Sequence, residues 1–596
     1  MSSAAAACMR SMHAANRPAS SSLRKRGSGG VAARRPDRGR WAAACAATVS
    51  LLLAATSAFA AEAARKAPAS FGSDHDDPRT AYPAPAEDAA EPCVVEVLRH
   101  GFKDFEPARA ILDAATRCPG PWSRIVLRID GAVKGRQYDR IGHASVGGVT
   151  IFRTSTPEPS REGIAWQVQK DVSAYAPLFA APQPVELAIG NVVDGVHDGV
   201  FDVALSFAFH PVDARHPAID AADAVLALQD LREDGADTVG RASVPRDTER
   251  LVAEVYATGS GGGCEEFWYF ATRADGYWCH APQGPYREVQ VLVDGRIAGI
   301  AAPYPHVYTG GWSNPFLWYA IPAPRAFDIP PVRYELTPFL GLLGDGRPHE
   351  IRFRVAGLPA RQEGWTLMPN LQLWRDPSGE PVRARLLDSD AGQATFDDDQ
   401  DVRDPGHQRM LHRWQRRFHA RGVVEGSRGA VETTVERDLH GDVHHRWTAR
   451  EDGDDHLLAE WRDREVLVRK PARGAARTTT LDRRFGLDGA LVTRAADGHP
   501  RLTTTLDIHD DALQATETGG APRWTRIRDR YTGTASYTGE VPREQRAATA
   551  DTRQAWRRED SDGGCEQRTL ANVNGRFTED RRGCATPQPA RDAHLP

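Results

Sequence analysis

After residue 92 the chain alternates apolar and polar residues in short runs separated by turn residues. From Cys93 to about Val212 these runs are VVEVL, RIVLRI, ASVGGVTIF, AWQVQKDV, VELAIG and FDVALSFAF. A period of two in β-branched and aromatic residues predicts strands with one buried face. PARAILDAATRC (107–118) has the pattern of one short helix. Residues 213–245 are charged and Ala-rich (DAADAVLALQDLREDGAD) and predict a linker that holds a helix. A second strand-rich block covers 246–358, with RLVAEVYAT, EEFWYFA, EVQVLVDGRIAGIAA, RYELTPFLG and HEIRFRVAG. Residues 360–596 are more polar, as in AVETTVERDLHGDVHHRWTA and RLTTTLDIHDDALQAT, and predict a third β-meander with wide solvent-facing surfaces. The expected fold is therefore all-β. Two jelly-roll or β-sandwich domains (93–212 and 246–358) precede a C-terminal β-rich domain (360–596).

Length and composition fit that organisation. A chain of 596 residues is too long for a single core. The net charge of −5 and pI near 6.5 give no electrostatic footprint for nucleic acid. Residues 1–60 read as a signal peptide with a long basic n-region (Arg24-Lys25-Arg26, Arg34-Arg35), an apolar run Trp41–Ala60 and an Ala58-x-Ala60 cleavage site. Residues 61–92, rich in Ala, Pro and Asp, read as a flexible leader. The expected location is secreted or periplasmic, with no membrane contact once the signal is removed. Six cysteines remain in the mature chain. Their grouping as sequence neighbours favours three local disulfides, Cys93–Cys118, Cys264–Cys279 and Cys565–Cys584. No CxxC spacing suggests zinc, and HGDVHH (His440, His444, His445), the nearest thing to a metal-ligating cluster, reads as a solvated loop.

Three stretches can carry chemistry. Tyr138-Asp139-Arg140 sets an acid beside a base at the entry to a strand. The local pattern leaves open a surface ion pair or a catalytic carboxylate. GSGGGCEEFWYF (259–270) lacks GK[ST] and a following helix, so it is no phosphate loop. Read as a strand, it places Glu266 and Trp268 on one face, and Glu265 with Phe267 and Tyr269 on the other. An acid flanked by large aromatics has a raised pKa and suits general acid–base work; a barrel-rim strand with surface glutamates is the equal alternative. YPHVYTGGWSNPFLW (304–318) is a rigid aromatic loop, either core packing or a carbohydrate-cleft wall, with packing favoured. The absence of GxSxG and HExxH disfavours a serine or metal hydrolase.

PWSRIVLRIDGAVKGRQYDRIGHASVGGVTIFRTSTPEP, GIAWQVQKDVSAYAPLF, VELAIGNVVDGVHDGVF, GPYREVQVLVDGRIAG, TGGWSNPFLW and YELTPFLGLLGDGRPHEIRF, taken in order, resemble the plant-type peptide N-glycosidase A family over about residues 93–358. A more distant resemblance is to the bacterial N-glycosidase F type, built of two jelly rolls. The resemblance implies a peptide-N4-(N-acetyl-beta-glucosaminyl)asparagine amidase, releasing a glycosylamine and leaving aspartate on the peptide. It aligns the essential aspartate with Asp139 and the second carboxylate with Glu266, and so favours the catalytic reading of both. The bacterial type's third acid falls near Val192, where no carboxylate stands; Asn191 and Asp194 are close. Arg136 or Arg140 would hold Asp139 ionised or bind a carbonyl oxygen, although a regular strand would send Arg140 to the opposite face. Glu265, Trp268, Trp312 and Trp318 are the remaining candidates for substrate contact. No metal or organic cofactor is expected. The expected partners are N-glycosylated peptides and glycoproteins, with no nucleic acid and the protein a monomer. A glycan-binding module and an endo-glycosidase on the same scaffold are the alternatives.

Overall fold

The computed structural model describes residues 78–85, 91–159, 163–359, 364–448, 453–542 and 545–584. The signal-peptide reading of residues 1–60 lies outside them. Cys93–Phe102 (β1), Ala108–Leu112 (β2), Trp122–Lys134 (β3), Ile141–Val146 (β4), Val149–Ser155 (β5), Ile164–Asp171 (β6), Gln183–Ile189 (β7) and Val200–Pro211 (β8) form two antiparallel sheets. Their orders are β1-β8-β3-β6 and β2-β7-β4-β5. Ile125, Leu127 and Ile129 of β3 are buried and belong to one core with Ala144, Val146, Val185 and Leu187 of the other sheet. β5 is the exception to alternation. It is buried along its whole length, because a second sandwich covers its outer face. The helix expected over 107–118 is a single turn, Ala114–Arg117, capped by the Asp113 side chain. Ala108–Leu112 instead pairs with β7.

The second sandwich contains Ala224–Leu226 (β9), Gln229–Asp234 (β10), Asp237–Ala242 (β11), Thr248–Gly259 (β12), Glu288–Val293 (β13), Arg296–Ala301 (β14), Val332–Glu335 (β15), His349–Ala356 (β16) and Trp365–Arg375 (β17). Its sheets are ordered β10-β11-β16-β13-β14 and β15-β12-β17-β9. The segment expected to be a helix-bearing linker, 213–245, thus supplies three strands. The cause is local: Gly235-Ala236 makes a two-residue hairpin turn with Gly235 at φ 65°, the arrangement that joins β10 to β11. Asp234 and Asp237 then share the guanidinium of Arg352 on β16. The sandwich also extends past residue 358, since β17 pairs with β12 from Thr248↔Arg375 to Gly259↔Trp365.

Residues beyond this form one large meander: Arg383–Asp390 (β18), Thr395–Asp401 (β19), Gln408–Gly426 (β20), Gly429–Trp447 (β21), Asp455–Pro471 (β22), Arg477–Ala496 (β23), His499–Thr518 (β24), Arg523–Thr538 (β25), Thr549–Asp560 (β26), Cys565–Val573 (β27) and Arg576–Arg582 (β28). Each strand from β20 onward pairs with the next in sequence. The 20 residues of β23 reach roughly 65 Å at the usual rise per residue. One face is solvated as expected, but the other is buried along Trp414, Phe418, Leu439, Val443, Trp461, Phe485, Ile508, Tyr531 and Trp556. That face closes on the second sandwich, and all three parts share one hydrophobic core. HGDVHH lies in β21 rather than in a loop; His445 points inward and meets Asp455 Oδ1 at 2.8 Å. Among the described residues no cluster of His, Cys, Asp and Glu could hold a metal, and no helix is long and apolar enough to cross a membrane.

Part of the segment read as a flexible leader is docked. The Ala81 N–H donates to Gln554 Oε1 at 2.6 Å, and Tyr82 meets Trp556 edge-on at 5.7 Å. Cys93–Cys118, Cys264–Cys279 and Cys565–Cys584 are paired, with Cα atoms 5.8, 4.8 and 6.2 Å apart.

Candidate active site

Asp139 stands in the connection between β3 and β4, outside any strand, so the alternation that would separate it from Arg140 does not apply. Its carboxyl lies against the 304–318 loop. The Thr309 hydroxyl and the Gly310 N–H lie beside it and favour its charged form. A Cβ on Gly310 would fall 2.6 Å from Asp139 Oδ1, so only glycine permits this approach. Thr309 is itself fixed, donating to the Thr156 carbonyl at 2.6 Å. Burial raises the Asp139 pKa, while the Thr309 and Gly310 hydrogen bonds and the nearby Arg140 charge oppose that rise.

Glu266 comes from the second sandwich. Cys264–Phe270 is a 3-10 helix with a kink at Phe267 rather than the strand expected. The two-face argument therefore fails, and the two glutamates separate for another reason. Glu265 is 1% exposed. It accepts from Arg287 Nε at 2.8 Å and Nη2 at 2.7 Å, and from Trp365 Nε1 at 2.7 Å. This buried fork anchors the glycine-rich loop and keeps Glu265 away from any substrate. Glu266 is half-buried, and its Oε2 accepts from the Gly262 N–H at 2.5 Å. Its pKa is raised to about 7, first by burial and then by the negative charge of Asp139. The two carboxyls, 127 positions apart by number, thus share one electrostatic site. Tyr308, whose hydroxyl donates to the Gly259 carbonyl at 2.8 Å, interacts with both charges.

The arginines divide similarly. The Arg140 backbone N–H donates to Thr156 Oγ1 at 2.9 Å, its Nε donates to Asn191 Oδ1 at 3.1 Å, and its Nη2 donates to Gln137 Oε1. Asn191 is buried, and its Nδ2 donates to the Phe102 and Gly199 carbonyls, both at 3.0 Å. It stands near the position of the missing third acid and orients Arg140. Asp194 is turned away, accepting from the N–H groups of Val196 and His197 in its own turn. The Arg136 backbone N–H donates to Asp198 Oδ1 at 2.6 Å.

The three tryptophans expected to contact sugar lie behind the site instead. Trp268 packs on Trp461 at 5.4 Å, Trp312 on Phe270 at 4.8 Å, and Trp318 on Tyr531 at 5.0 Å. All are 2% exposed or less. The aromatic surface near Glu266 is Phe267 with Trp278, 6.1 Å apart; Trp278 is 41% exposed. Sequence reasoning passed over Trp278, although its place beside Cys279 in a disulfide loop that contains Glu266 was visible. Thr309 and Gln137 carried no such signal, and Asn191 was visible only as a neighbour of the vacant third-acid position.

Comparison with known proteins places this geometry in context. A family model described as peptide N-acetyl-beta-D-glucosaminyl asparaginase amidase A matches residues 83–391. The peptide-N4-(N-acetyl-beta-glucosaminyl)asparagine amidase A of Prunus dulcis is 30% identical over 348 residues, covering 52% of this chain and 60% of that protein. Among solved structures, PNGase F, a glycosylasparaginase from Flavobacterium meningosepticum, superposes with a TM-score of 0.31 at 10% identity over 47% of this chain and 95% of that one. PNGF-II gives 0.30 at 13% identity over 50% and 63%. A match to the family over more than half its length, spanning the connection that carries Asp139 and the short helix that carries Glu266, identifies this chain as a member of the peptide N-acetyl-beta-D-glucosaminyl asparaginase amidase A family.

Proposed function

We propose that the protein is a secreted amidase that hydrolyses the bond between an N-glycan and its asparagine, acting on N-glycosylated peptides and glycoproteins. The observation that carries this reading is the pairing of Asp139 and Glu266, from different sandwiches, in one half-buried electrostatic site. Two carboxyls that feel each other's charge do not both ionise readily near neutral pH. Burial raises the pKa of both; at Asp139 the neighbouring Thr309, Gly310 and Arg140 oppose that rise, while at Glu266 the charge of Asp139 adds to it and takes the pKa to about 7. Opposite protonation states in adjacent groups are what acid–base hydrolysis requires.

In this mechanism Asp139 takes a proton from water as the water oxygen bonds to the asparagine side-chain carbon. The Cγ–N bond then breaks, and the same proton passes to the departing glycosylamine nitrogen. Glu266 aligns the water and donates a hydrogen bond to the first sugar. Arg140, held by Gln137 and Asn191, faces the carbonyl oxygen as charge develops there. Phe267 and Trp278 offer an aromatic surface for sugar rings. This chemistry uses side chains alone.

The test is a defined N-glycopeptide incubated with the protein and weighed by mass spectrometry, with Asp139→Asn and Glu266→Gln variants alongside. Loss of the whole glycan with conversion of Asn to Asp, abolished in Asp139→Asn, is expected. A peptide that keeps one N-acetylglucosamine would mean an endo-glycosidase, and glycan binding without product would mean a binding module.

A further inference from the structure

We propose that the C-terminal sheet is part of the active-site machinery: through Gly489, Thr504, Tyr531 and Tyr537 it positions Trp312 and the loop whose Thr309 and Gly310 hold Asp139. This inference rests on the reading of Asp139 given above. It assigns a role to residues beyond 391, where the family match ends.

Two residues of the loop, Trp312 and Ser313, have left-handed backbones, with φ 57° and 52°. Bulky residues occupy that region only where their surroundings hold them there. Those surroundings are the inner face of the sheet. Thr504 Oγ1 donates to the Trp312 carbonyl at 3.4 Å, and the Tyr537 hydroxyl donates to the Ser313 carbonyl at 3.2 Å. Asn314 Nδ2 reaches the Ala535 carbonyl at 3.0 Å. The Tyr531 hydroxyl donates to the Leu317 carbonyl at 2.8 Å, and its ring stacks on Trp318. Trp318 closes the circuit, its Nε1 donating to the Gly311 carbonyl at 2.9 Å. A buried loop needs partners for its backbone groups, and here β24 and β25 provide them.

Gly489 on β23 fixes the depth of the whole arrangement. A Cβ there would lie 2.3 Å from Trp312 Cη2 and 2.4 Å from Cζ3. The indole therefore seats directly on the sheet backbone, only two residues from Gly310. Elsewhere the sheet meets the second sandwich through ring packing, as at Trp268 with Trp461, and through polar contacts to regular or side-chain groups, as from Arg437 Nη1 to the Arg333 carbonyl and between Arg325 and Asp510. At this loop it supplies directed hydrogen bonds to a strained backbone, which is the pattern of a positioning support.

The test is Gly489→Ala in the mature chain, with Gly489→Ala/Trp312→Phe as the compensating variant, because phenylalanine lacks the outer edge of the indole. The first readout needs no activity: amide hydrogen exchange, followed by mass spectrometry, across residues 305–314. The second is steady-state kinetics on a glycopeptide as a function of pH. Gly489→Ala is expected to speed exchange in 305–314 while the sheet strands stay protected. It should lower kcat on the order of 10²-fold, with KM changed less than about threefold. The acidic limb of the profile should move to higher pH, since the donors that favour an ionised Asp139 are displaced. Arg140, Glu266 and Tyr308, which also face Asp139, keep their places. The compensating variant should recover about tenfold or more of the lost kcat, as expected of residues that act as a pair.

Unchanged exchange in 305–314 would overturn the proposal. So would a kcat loss that matches the unfolded fraction with an unmoved pH profile, which would leave the sheet a purely structural cover. If the wild-type chain makes no aspartyl peptide, the amidase reading fails, and the exchange result still decides the positioning role.

Discussion

Glu266→Gln is expected to stabilise the protein at alkaline pH while removing its activity. Glu266 titrates near 7 instead of 4.5 because burial and the charge of Asp139 disfavour its ionised form. That displacement corresponds to about 3 kcal/mol between the two protonation states. The sign follows from linkage. Below the ordinary 4.5 the carboxyl is neutral in both folded and unfolded chains and has no effect. As pH rises toward 7 the unfolded chain releases the proton and the folded chain retains it, so stability falls. Above 7 the loss is complete and constant. Glutamine has no charge to bury, and its carbonyl oxygen can still accept from the Gly262 N–H. The variant should therefore melt close to the wild type at about pH 4. At about pH 8.5 it should gain up to ~3 kcal/mol, on the order of 3–6 °C for a chain of this size. Thermal melts at the two pH values measure this directly. An equal gap at both, or a less stable variant at the higher pH, would show that Glu266 is not held protonated by its surroundings.

Other expectations follow from neighbouring contacts. Glu265→Gln leaves Arg287 buried without a counter-charge and should cost about 3–5 kcal/mol, read as a lower denaturation midpoint; Arg287→Met alone should cost a similar amount. Gly310→Ala pushes a methyl to 2.6 Å from Asp139 Oδ1 and should lower kcat by roughly 10²-fold with little change in KM, measured by steady-state kinetics. Trp278→Ala removes a stacking surface worth about 1 kcal/mol, and should raise KM for a glycopeptide several-fold while leaving the melting temperature in place. Cys264→Ser/Cys279→Ser opens a loop of sequence separation 15 and should cost about 3 kcal/mol, measured in denaturant titrations.

Much of the fold was legible because antiparallel sheets with one wet face print their geometry on the sequence. β7, β16 and the long strands β20 and β21 alternate as a period of two requires. Errors occurred where another rule prevailed. In 213–245 an alanine-rich, charged composition pointed to helix, yet Gly235-Ala236 turned the chain into a hairpin whose second strand pairs with β16. In 264–270 the aromatic run looked like a strand, but the Cys264–Cys279 bridge and the glycine-rich loop before it left room only for a 3-10 turn. Glu265 and Glu266 then differ because one found Arg287 and the other did not, a distinction no spacing encodes.

Alone, the sequence determined the all-β class, the three disulfide pairings, and the two stretches that contain Asp139 and Glu266. Each is a local property, carried by alternation, by short cysteine separations or by a contiguous motif. Only the tertiary structure decided that Asp139 and Glu266 share one site, that Trp268, Trp312 and Trp318 are buried supports, and that the C-terminal sheet reaches the loop beside Asp139. Those facts depend on residues far apart in the chain meeting at one point, and on burial, which fixes both the charge a carboxyl can hold and the surface a tryptophan can offer.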